Sequence, residues 1–482
     1  MKLSFQFIIL FSLSVILSNN HPVRCGLHEE ILNPNRGRST RPITDAYSVS
    51  PSGNFYIHYD FEGSDAPNQI DNNDNGIPDY VDQVGIAADY SDSILVNILN
   101  FSPITIHDGD QKYDIYIQDM GQGYYGVNNL DSDSLGNHIG SSYIKIDNEY
   151  EEGEYYTTGI EAMKITVAHE YFHAIQRSYR LEFNAQTLFL YEMSSTWVED
   201  VIYPDIDDYI DDGWLLSFFN NPEQNISSTD GYSIALYAHY LTTVIEGENN
   251  LESSIIKQIW EQFSTLNNAH SSIREVLANN YSTTFINTWL EFCTRNLYNR
   301  YYDNMDNDFY YYEDQINTMP ITIDDFDYLI TSMTIDESLQ DESIVINVFE
   351  PSSDFFINIE NLNENVVGDI VIETQAMEEH PYIIPIENLN YYYIEEEIDK
   401  IYLLIGSDQE SLLNFDLSVY PYNFGDINQN HFINVVDIIY IVNYIFNAID
   451  LSDFQIVLAD LNIDGMISVL DIIEIVNIIM EF

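Results

Sequence analysis

The clearest pattern of hydrophobic and polar positions lies between residues 165 and 176. Apolar side chains recur there every three or four residues, which predicts one buried face of an α-helix. They are Ile165, Ala168, Phe172 and Ile175. A polar stripe on the same helix consists of Thr166, His169, His173 and Gln176. The pattern predicts a helix that holds two histidines on one face.

Other segments of the chain carry either alternating or helical spacing. Residues 55–59, 113–117 and 143–147 alternate and predict strands, whereas residues 81–99 have helical spacing. Strands followed by the histidine-bearing helix predict an α+β lobe. Residues 230–241 predict a further helix.

Between residues 320 and 420 the pattern changes to short alternating segments separated by polar turns. The segments are residues 344–349, 355–359, 370–372, 401–405 and 413–417. This spacing predicts a small β-sandwich, which carries no chemical motif and would serve as a spacer or binding module.

The predicted histidine helix contains the motif H-E-x-x-H. Positions i and i+4 of a helix lie one turn apart, so His169 and His173 could both bind one zinc ion. Glu170 follows the first histidine and could take a proton from the water that attacks the substrate. With eleven histidines in the chain, a chance match remains the alternative.

A zinc site in an enzyme needs a third protein ligand and an open position. Eighteen residues separate His173 from Glu192, which is enough chain to end one helix and begin another that passes it. Glu199 lies seven residues further on, on the same predicted face, and is the substitute ligand. The predicted zinc ligands are therefore His169, His173 and Glu192, with Glu199 as the alternative to Glu192.

The segments VAHEYFHAIQ and YEMSSTWVED together resemble secreted bacterial zinc metalloproteases of the gluzincin type, over residues 48–300. Met193 departs from the family pattern, in which Gly or Ala often follows the ligand glutamate. The resemblance implies an edge strand that binds an extended substrate, for which the Tyr143 segment is the candidate. It also implies a tyrosine that stabilises the developing oxyanion, here Tyr232, although a packing role is the alternative.

Residues 71–82 have the spacing of a calcium-binding loop. The oxygen-bearing side chains at loop positions 1, 3, 5, 9 and 12 are Asp71, Asn73, Asn75, Asp79 and Asp82. Gly76 occupies the position of the sharp turn. We expect a structural calcium ion here; a plain Asn/Asp/Gly turn is the alternative.

The C-terminus contains an internal repeat with a period of 34 residues. The oxygen ligands of the first copy are Asp426, Asn428, Asn430, Asn434 and Asp437, and those of the second are Asp460, Asn462, Asp464, Ser468 and Asp471. Each loop precedes an apolar helix, at residues 438–446 and 472–479. The pair resembles a type I dockerin, which implies a cohesin-like partner; a calcium-stabilised terminal module without a partner is the alternative.

Charge and the N-terminus add to this picture. Fifteen Lys and Arg against 79 Asp and Glu give a net charge of −64, which disfavours nucleic acid and anionic membranes and favours divalent cations. Residues 1–19 predict a secretory signal peptide, with an uncleaved membrane anchor as the alternative. No later stretch predicts a membrane span, so we expect a secreted or cell-surface protein that is not inserted in a membrane after signal removal. Cys25 and Cys293 could form one disulfide or remain separate thiols.

The sequence predicts a multidomain protein. Its parts are a signal peptide at residues 1–19, an arm or short propeptide at 20–47, an α+β zincin domain at 48–318, a β-sandwich at 319–421 and an all-α, dockerin-like calcium-binding domain at 422–482. The predicted function is a zinc-dependent endopeptidase acting on protein or peptide substrates. The alternatives are an inactive extracellular binding or assembly protein and a component of a polysaccharide-degrading system, although no glycosidase carboxylate pair can be located.

Overall fold

The histidine-bearing segment and both repeats, except for positions 431 and 463, fall in the part of the chain that the computed structural model describes. The described residues are 23–27, 38–39, 41–104, 106, 111–121, 124–131, 141–180, 184–211, 213–302, 307–323, 326–329, 332–339, 343–351, 355–360, 366–374, 380–386, 390–392, 398–407, 411–421, 424–430, 432–462 and 464–481. The predicted signal peptide at residues 1–19 lies outside them. The fold is mixed α and β, with several sheets and helices.

The chain divides into two compact units. The first comprises Met1–Asn97, Ser102–Leu181 and Ile202–Asp208, and the second comprises Ile98–Phe101, Glu182–Val201 and Tyr209–Phe482. The domain boundaries given above remain predictions.

The first unit is built on a seven-stranded sheet. Its strands are β1 (Val23–Cys25), β2 (Arg38–Ser39), β3 (Ala46–Val49), β4 (Phe55–Tyr59), β5 (Tyr113–Ile117), β6 (Tyr124–Asp131) and β7 (Ser142–Ile146). The order is β1-β6-β7-β5-β4-β3, and β2 also pairs with β6. β7 is antiparallel to β6 and parallel to β5, so it lies inside the sheet. The prediction that the Tyr143 segment is an edge strand is therefore wrong.

Burial explains why β7 is an inner strand. Tyr143, Ile144 and Ile146 are all fully buried, so both faces of the strand are covered. Strands buried on both faces are typical of the interior of a sheet with helices packed against it. By contrast, the Phe55 strand alternates between buried and partly exposed residues, as its sequence predicts.

Two helices pack on this sheet. Helix α1 (Asp79–Asp92) lies against β4 and continues into a π-helical turn at Ser93–Ile98. Helix α2 (Gly159–Tyr179) packs against α1, β6 and β7 and carries the H-E-x-x-H motif. Both of its predicted stripes are buried, including the polar one. A helix buried on all sides is a core helix, so its polar side chains need partners inside the protein.

The second unit contains most of the remaining helices. They are α3 (Leu188–Ile202, in this unit up to Val201), α4 (Asp208–Asp211, in this unit from Tyr209), α5 (Leu215–Phe219), α6 (Ala235–Tyr240), α7 (Ile255–Leu266), α8 (Ala269–Asn280), α9 (Phe285–Asn296) and α10 (Asp314–Asn317). The helix predicted at residues 230–241 is a 3-10 turn at Tyr232–Ile234, then α6, then a π-helical turn at Leu241–Glu246. Trp260 and Trp289 are fully buried in this unit.

Two further sheets follow the helices in the second unit. The strands are β8 (Phe326–Leu329), β9 (Ser332–Leu339), β10 (Ser343–Pro351), β11 (Phe355–Glu360), β12 (Val366–Thr374), β13 (Tyr382–Pro385), β14 (Asn390–Tyr392), β15 (Ile398–Ser407) and β16 (Ser411–Pro421). Their orders are β13-β12-β15-β10-β8 and β14-β11-β16-β9. All five segments that the alternation predicts as strands are strands, because each fits a period of two residues.

The C-terminal module has its own core. It contains helices α11 (Val435–Ile445), α12 (Asp453–Ala459) and α13 (Val469–Glu481). The buried residues that hold it together are Ile427, Ile441, Leu451, Phe454, Leu458, Ala459 and Ile475. Both helices that the repeat predicts are present, each directly after its loop.

Among the described residues, no helix has the length and apolar character needed to cross a membrane. Cys25 and Cys293 are both buried and are not joined by a disulfide. Of the two alternatives left open for the cysteines, the structure therefore has two separate thiols.

Candidate metal centre

His169 and His173 face each other one turn apart on α2. Their Nε2 atoms are 3.0 Å apart, and the ring centroids are 4.6 Å apart. Both residues are almost completely buried. Two imidazole nitrogens converge at one buried point, as the H-E-x-x-H spacing predicts.

The hydrogen bond between His173 and Gln176 sets the tautomer of this histidine. Nδ1 of His173 lies 2.7 Å from Oε1 of Gln176, which can only accept, so Nδ1 donates. The lone pair of Nε2 is then directed at the point shared with His169. A neutral histidine oriented through its second nitrogen is the usual form of a metal-bound histidine. This donor arrangement is one that could bind a metal ion.

Cys25 brings a third potential ligand to the same point. Its Sγ atom is 3.3 Å from Nε2 of His173, and the residue is 2% exposed. The backbone N–H of Leu27 donates to Sγ over 3.4 Å, which orients the sulfur. Thiolate and imidazole are preferred ligands of zinc.

Glu170 is buried where strand β6 approaches α2. A Cβ atom on Gly126 would lie 2.6 Å from Cγ2 of Thr166 and 3.0 Å from Cγ of Glu170. Only glycine allows the strand to come this close to the helix. Asn128 Nδ2 also donates to the backbone oxygen of Glu170, over 3.1 Å.

Arg177 connects α2 to β6 one turn beyond His173. Its Nε donates to Oδ1 of Asn128 over 2.7 Å, and Nη2 donates to the backbone oxygen of Asn128 over 3.1 Å. Asn128 Nδ2 donates to the hydroxyl of Tyr113 as well, over 3.0 Å. Buried, connected polar groups of this kind fix the helix on the sheet.

Glu192 lies on α3 and is 1% exposed. Glu192 belongs to the second unit, so its place as the third ligand stays a prediction. In the first unit, Cys25, His169 and His173 belong to one buried group in which each residue offers a ligand atom within 4.8 Å of the others. The first unit therefore contains a buried group of Cys and His side chains that could bind a metal ion. Glu199 is also buried but is not a member of any such group among the described residues.

Tyr232 begins the 3-10 turn that precedes α6 and is 7% exposed. The residue before it, Gly231, packs directly on α3, where a Cβ atom would lie 2.6 Å from Cβ of Glu192. The ring of Tyr232 lies 5.0 Å from that of Trp214. Burial, and to a lesser extent the charge of Glu192, raises the pKa of the Asp230 carboxyl, which accepts from the N–H of Ser233 over 2.9 Å.

The loop at residues 71–82 folds around its acidic side chains. Nδ2 of Asn73 and Nδ2 of Asn75 lie 3.1 Å and 2.7 Å from Oδ2 of Asp82. The backbone N–H of Gly76, which has a φ of 85°, donates to Asp71 over 2.8 Å. Asp79 instead accepts from the N–H of Asn72 over 3.1 Å. Asp71, Asn73, Asn75 and Asp82 thus face the loop interior, as a calcium loop requires.

The two C-terminal loops share one hydrogen-bond pattern. The backbone N–H groups of Asn428 and Asn434 donate to Asp437, and those of Asn462 and Ser468 donate to Asp471. Asn430 and Asp464 likewise donate from their N–H groups to Asp426 and Asp460. Asp437 and Asp471 are fully buried. The 34-residue repeat is therefore a repeat of structure.

Sequence reasoning missed three contributors to this region. Gln176 stood on the predicted polar stripe, three residues after His173, and that spacing could have identified it as the partner of the histidine. Cys25 and Asn128 had no local signal, because strand pairing alone brings them to α2.

His239 is a buried structural histidine that contacts Asn250 and stacks on Tyr312. Burial lowers its pKa to about 3.

No protein-family model matches this chain, and no curated protein matches it in sequence.

Proposed function

We propose that this protein is a zinc-dependent endopeptidase in which His169, His173 and Glu192 hold the metal. The main support for this proposal is that the Nε2 atoms of His169 and His173 lie 3.0 Å apart at a buried point. A bound zinc ion would polarise a peptide carbonyl and lower the pKa of a water molecule. The donor set of two imidazoles and one carboxylate matches that chemistry and leaves a position for substrate.

Glu170 is the proposed general base. It follows His169 directly on α2, and Gly126 and Asn128 hold this turn of the helix against β6. Its carboxylate takes a proton from the attacking water and gives that proton to the leaving amine. The surrounding side chains exclude bulk water, since Glu170 is only 1% exposed.

Tyr232 is the proposed hydrogen-bond donor to the developing oxyanion. Its position next to Gly231, which packs on Glu192, supports this role. A preorganised donor that meets charge only in the transition state raises kcat more than it lowers KM.

The test is zinc content together with hydrolysis of a general protein substrate such as casein. Glu170→Gln should keep stoichiometric zinc and lose activity by about 10²–10⁴-fold. Glu161→Gln is the matched control, because Glu161 lies on the same helix but is exposed. A purified protein without stoichiometric zinc, or a Glu170→Gln variant with full activity, would refute the peptidase and leave the inactive binding or assembly protein.

We also propose that the C-terminal module docks the protein to a cohesin-like partner. Exposed apolar side chains occupy equivalent positions of the two repeats: Phe432, Val435, Val436, Ile439 and Phe446 in the first, and Met466, Val469, Leu470, Ile473 and Met480 in the second. Apolar surface of this extent is unusual unless it binds something. The expected result is calcium-dependent binding to a purified type I cohesin domain, lost in Ile439→Asp/Ile473→Asp.

A protein that does not bind such a domain would have a calcium-stabilised terminal module only. The polysaccharide-degrading alternative rests on the same docking, since a docked protein could belong to such a system. It would be favoured over protein hydrolysis if the docked protein released sugars and Glu170→Gln left that release unchanged.

A further inference from the structure

We propose that the N-terminal segment is a built-in inhibitor of the metal centre, in which Cys25 is a further metal ligand and β1 and β2 occupy the edge of the sheet where an extended substrate would bind. This inference rests on the proposed peptidase function. It assigns to Cys25 a role that neither its spacing nor any local motif gives.

The sulfur of Cys25 is positioned as a ligand. Sγ lies 3.3 Å from Nε2 of His173, the atom whose lone pair is directed at the metal position by the bond to Gln176. The N–H of Leu27 donates to the same sulfur and orients it. With the carboxylate of the proposed third ligand, the two imidazoles and the thiolate would make a closed four-ligand site, whereas catalysis needs an open position. Cys25 would therefore occupy the position that water and substrate require.

The backbone around Cys25 runs along β6 as a substrate strand would. β1 is parallel to β6, with Val23 opposite Tyr124 and Cys25 opposite Gly126. β2 pairs in parallel with the far end of the same strand, where Arg38 lies opposite Leu130. The other edge of β6 is paired with β7. The edge next to α2 that could accept an extended peptide is thus covered at both ends by the chain itself.

Two glycines permit this close packing. A Cβ atom on Gly26 would lie 2.5 Å from Cγ2 of Val127, so any larger residue would push the segment away from β6. Gly126, the partner of Cys25, brings the strand to within contact of Glu170. The N–H of Gly26 donates to the backbone oxygen of Gly126 over 3.2 Å. The thiol is consequently delivered beside the turn that carries both Glu170 and His173.

An ion pair fastens the segment just after β2. Nε and Nη2 of Arg41 donate to the two carboxylate oxygens of Asp131 over 2.8 Å and 2.9 Å, and Nη1 contacts Asp114. A bidentate arginine–carboxylate pair has fixed geometry and is stronger than a single contact. Asp131 is the last residue of β6, so this pair holds the segment to the strand that it covers.

The experiment compares the full mature chain with the variants Cys25→Ala, Cys25→Ser and Arg41→Ala. Cys293→Ala is the matched control, because Cys293 is the other buried cysteine. Two quantities are measured. One is the sulfur-to-metal charge-transfer absorption of the protein loaded with Co²⁺. The other is the rate of casein hydrolysis by the zinc-loaded protein.

We expect the charge-transfer band in the wild type and in Cys293→Ala, and its loss in both Cys25 variants. Hydrolysis should rise by about tenfold or more in the Cys25 variants, because the fraction of molecules with an open site increases. Arg41→Ala should show a smaller rise while retaining part of the band. Cys25→Ser serves as the second variant if the alanine variant does not fold.

The outcomes separate the two proposals. Stoichiometric cobalt without a charge-transfer band in the wild type, or equal hydrolysis by wild type and Cys25 variants, would overturn the inhibitor and leave the peptidase intact. A wild type and Cys25 variants that bind no metal would overturn the peptidase, and the inhibitor with it.

Discussion

Gly231 lies so close to Glu192 that a Cβ atom on the glycine would be 2.6 Å from Cβ of Glu192. The glycine has a φ of 90°, so an L side chain there is also strained. The backbone of Gly231 therefore supports the turn of α3 that presents the proposed ligand.

Gly231→Ala should weaken zinc binding, because the added methyl group must displace Glu192 or the backbone around it. We expect the zinc dissociation constant to rise about tenfold to a hundredfold, as for loss of other groups that orient a ligand. Competition with a zinc chelator measures it. Gly247→Ala is the control, since Gly247 has a φ of 76° with open space around it; equal weakening in both variants would contradict the supporting role of Gly231.

Glu192→Gln and Glu199→Gln should differ in zinc affinity, although both residues are buried on α3. We expect Glu192→Gln to lower the zinc affinity by more than about a hundredfold. A hundredfold is the upper end of the loss caused by removing a group outside the first coordination sphere, and a direct ligand should cost more. Glu199→Gln should retain stoichiometric zinc. The zinc content of the two variants after dialysis distinguishes them. If Glu199→Gln lost zinc and Glu192→Gln retained it, Glu199 would be the ligand.

Gly126→Ala should destabilise the first unit, since its methyl group would overlap Cγ2 of Thr166. We expect a loss of about 1–3 kcal/mol in the free energy of unfolding, typical of overpacking. Thr166→Ser removes the overlapping methyl group, so the double variant should recover part of the loss. Denaturant unfolding of the four proteins gives the coupling, and strictly additive effects would mean that the contact does not limit the approach of strand and helix.

His270→Gln should reduce the acid sensitivity of the protein. Burial, with a contribution from Arg274, lowers the pKa of His270 from 6.5 to about 4. Since the unfolded chain then binds more protons, stability falls as the pH falls through this window, by up to about 1.4 kcal/mol per pH unit for this group. Melting temperatures between pH 7.5 and 4.5, at roughly half-unit steps across the titration range, check this. Parallel curves for wild type and variant would exclude the histidine as a cause.

Calcium removal should unfold the C-terminal module, whose fully buried Asp437 and Asp471 would otherwise lack a compensating cation. At a calcium concentration about a hundred times the dissociation constant, bound calcium should contribute about 2.7 kcal/mol per site. Asp471→Ala should lower the calcium stoichiometry by about one ion per chain. Asp450→Ala, at an exposed aspartate between the repeats, should leave the calcium stoichiometry unchanged. An equal loss of calcium in this variant would mean that the overall negative charge, and not the loop ligands, explains calcium binding.

Local periodicity determined much of this protein in advance. The histidine helix, the strands after residue 343 and both C-terminal loop–helix units follow from spacings of two, 3.6 and 34 residues, which are carried by neighbouring positions in the sequence. His169 and His173 meet because one turn of a helix brings them together. Such features need no knowledge of distant parts of the chain.

Tertiary structure alone decided what surrounds the two histidines. The Tyr143 strand was expected at an edge but lies inside the sheet, because strand order depends on pairing between segments far apart in sequence. Cys25 reaches His173, 148 positions later, only because β1 pairs with β6 and glycines at 26 and 126 allow close contact. The sequence specified His169 and His173, because one helix presents both. Long-range strand pairing decided that the thiol of Cys25 lies next to them.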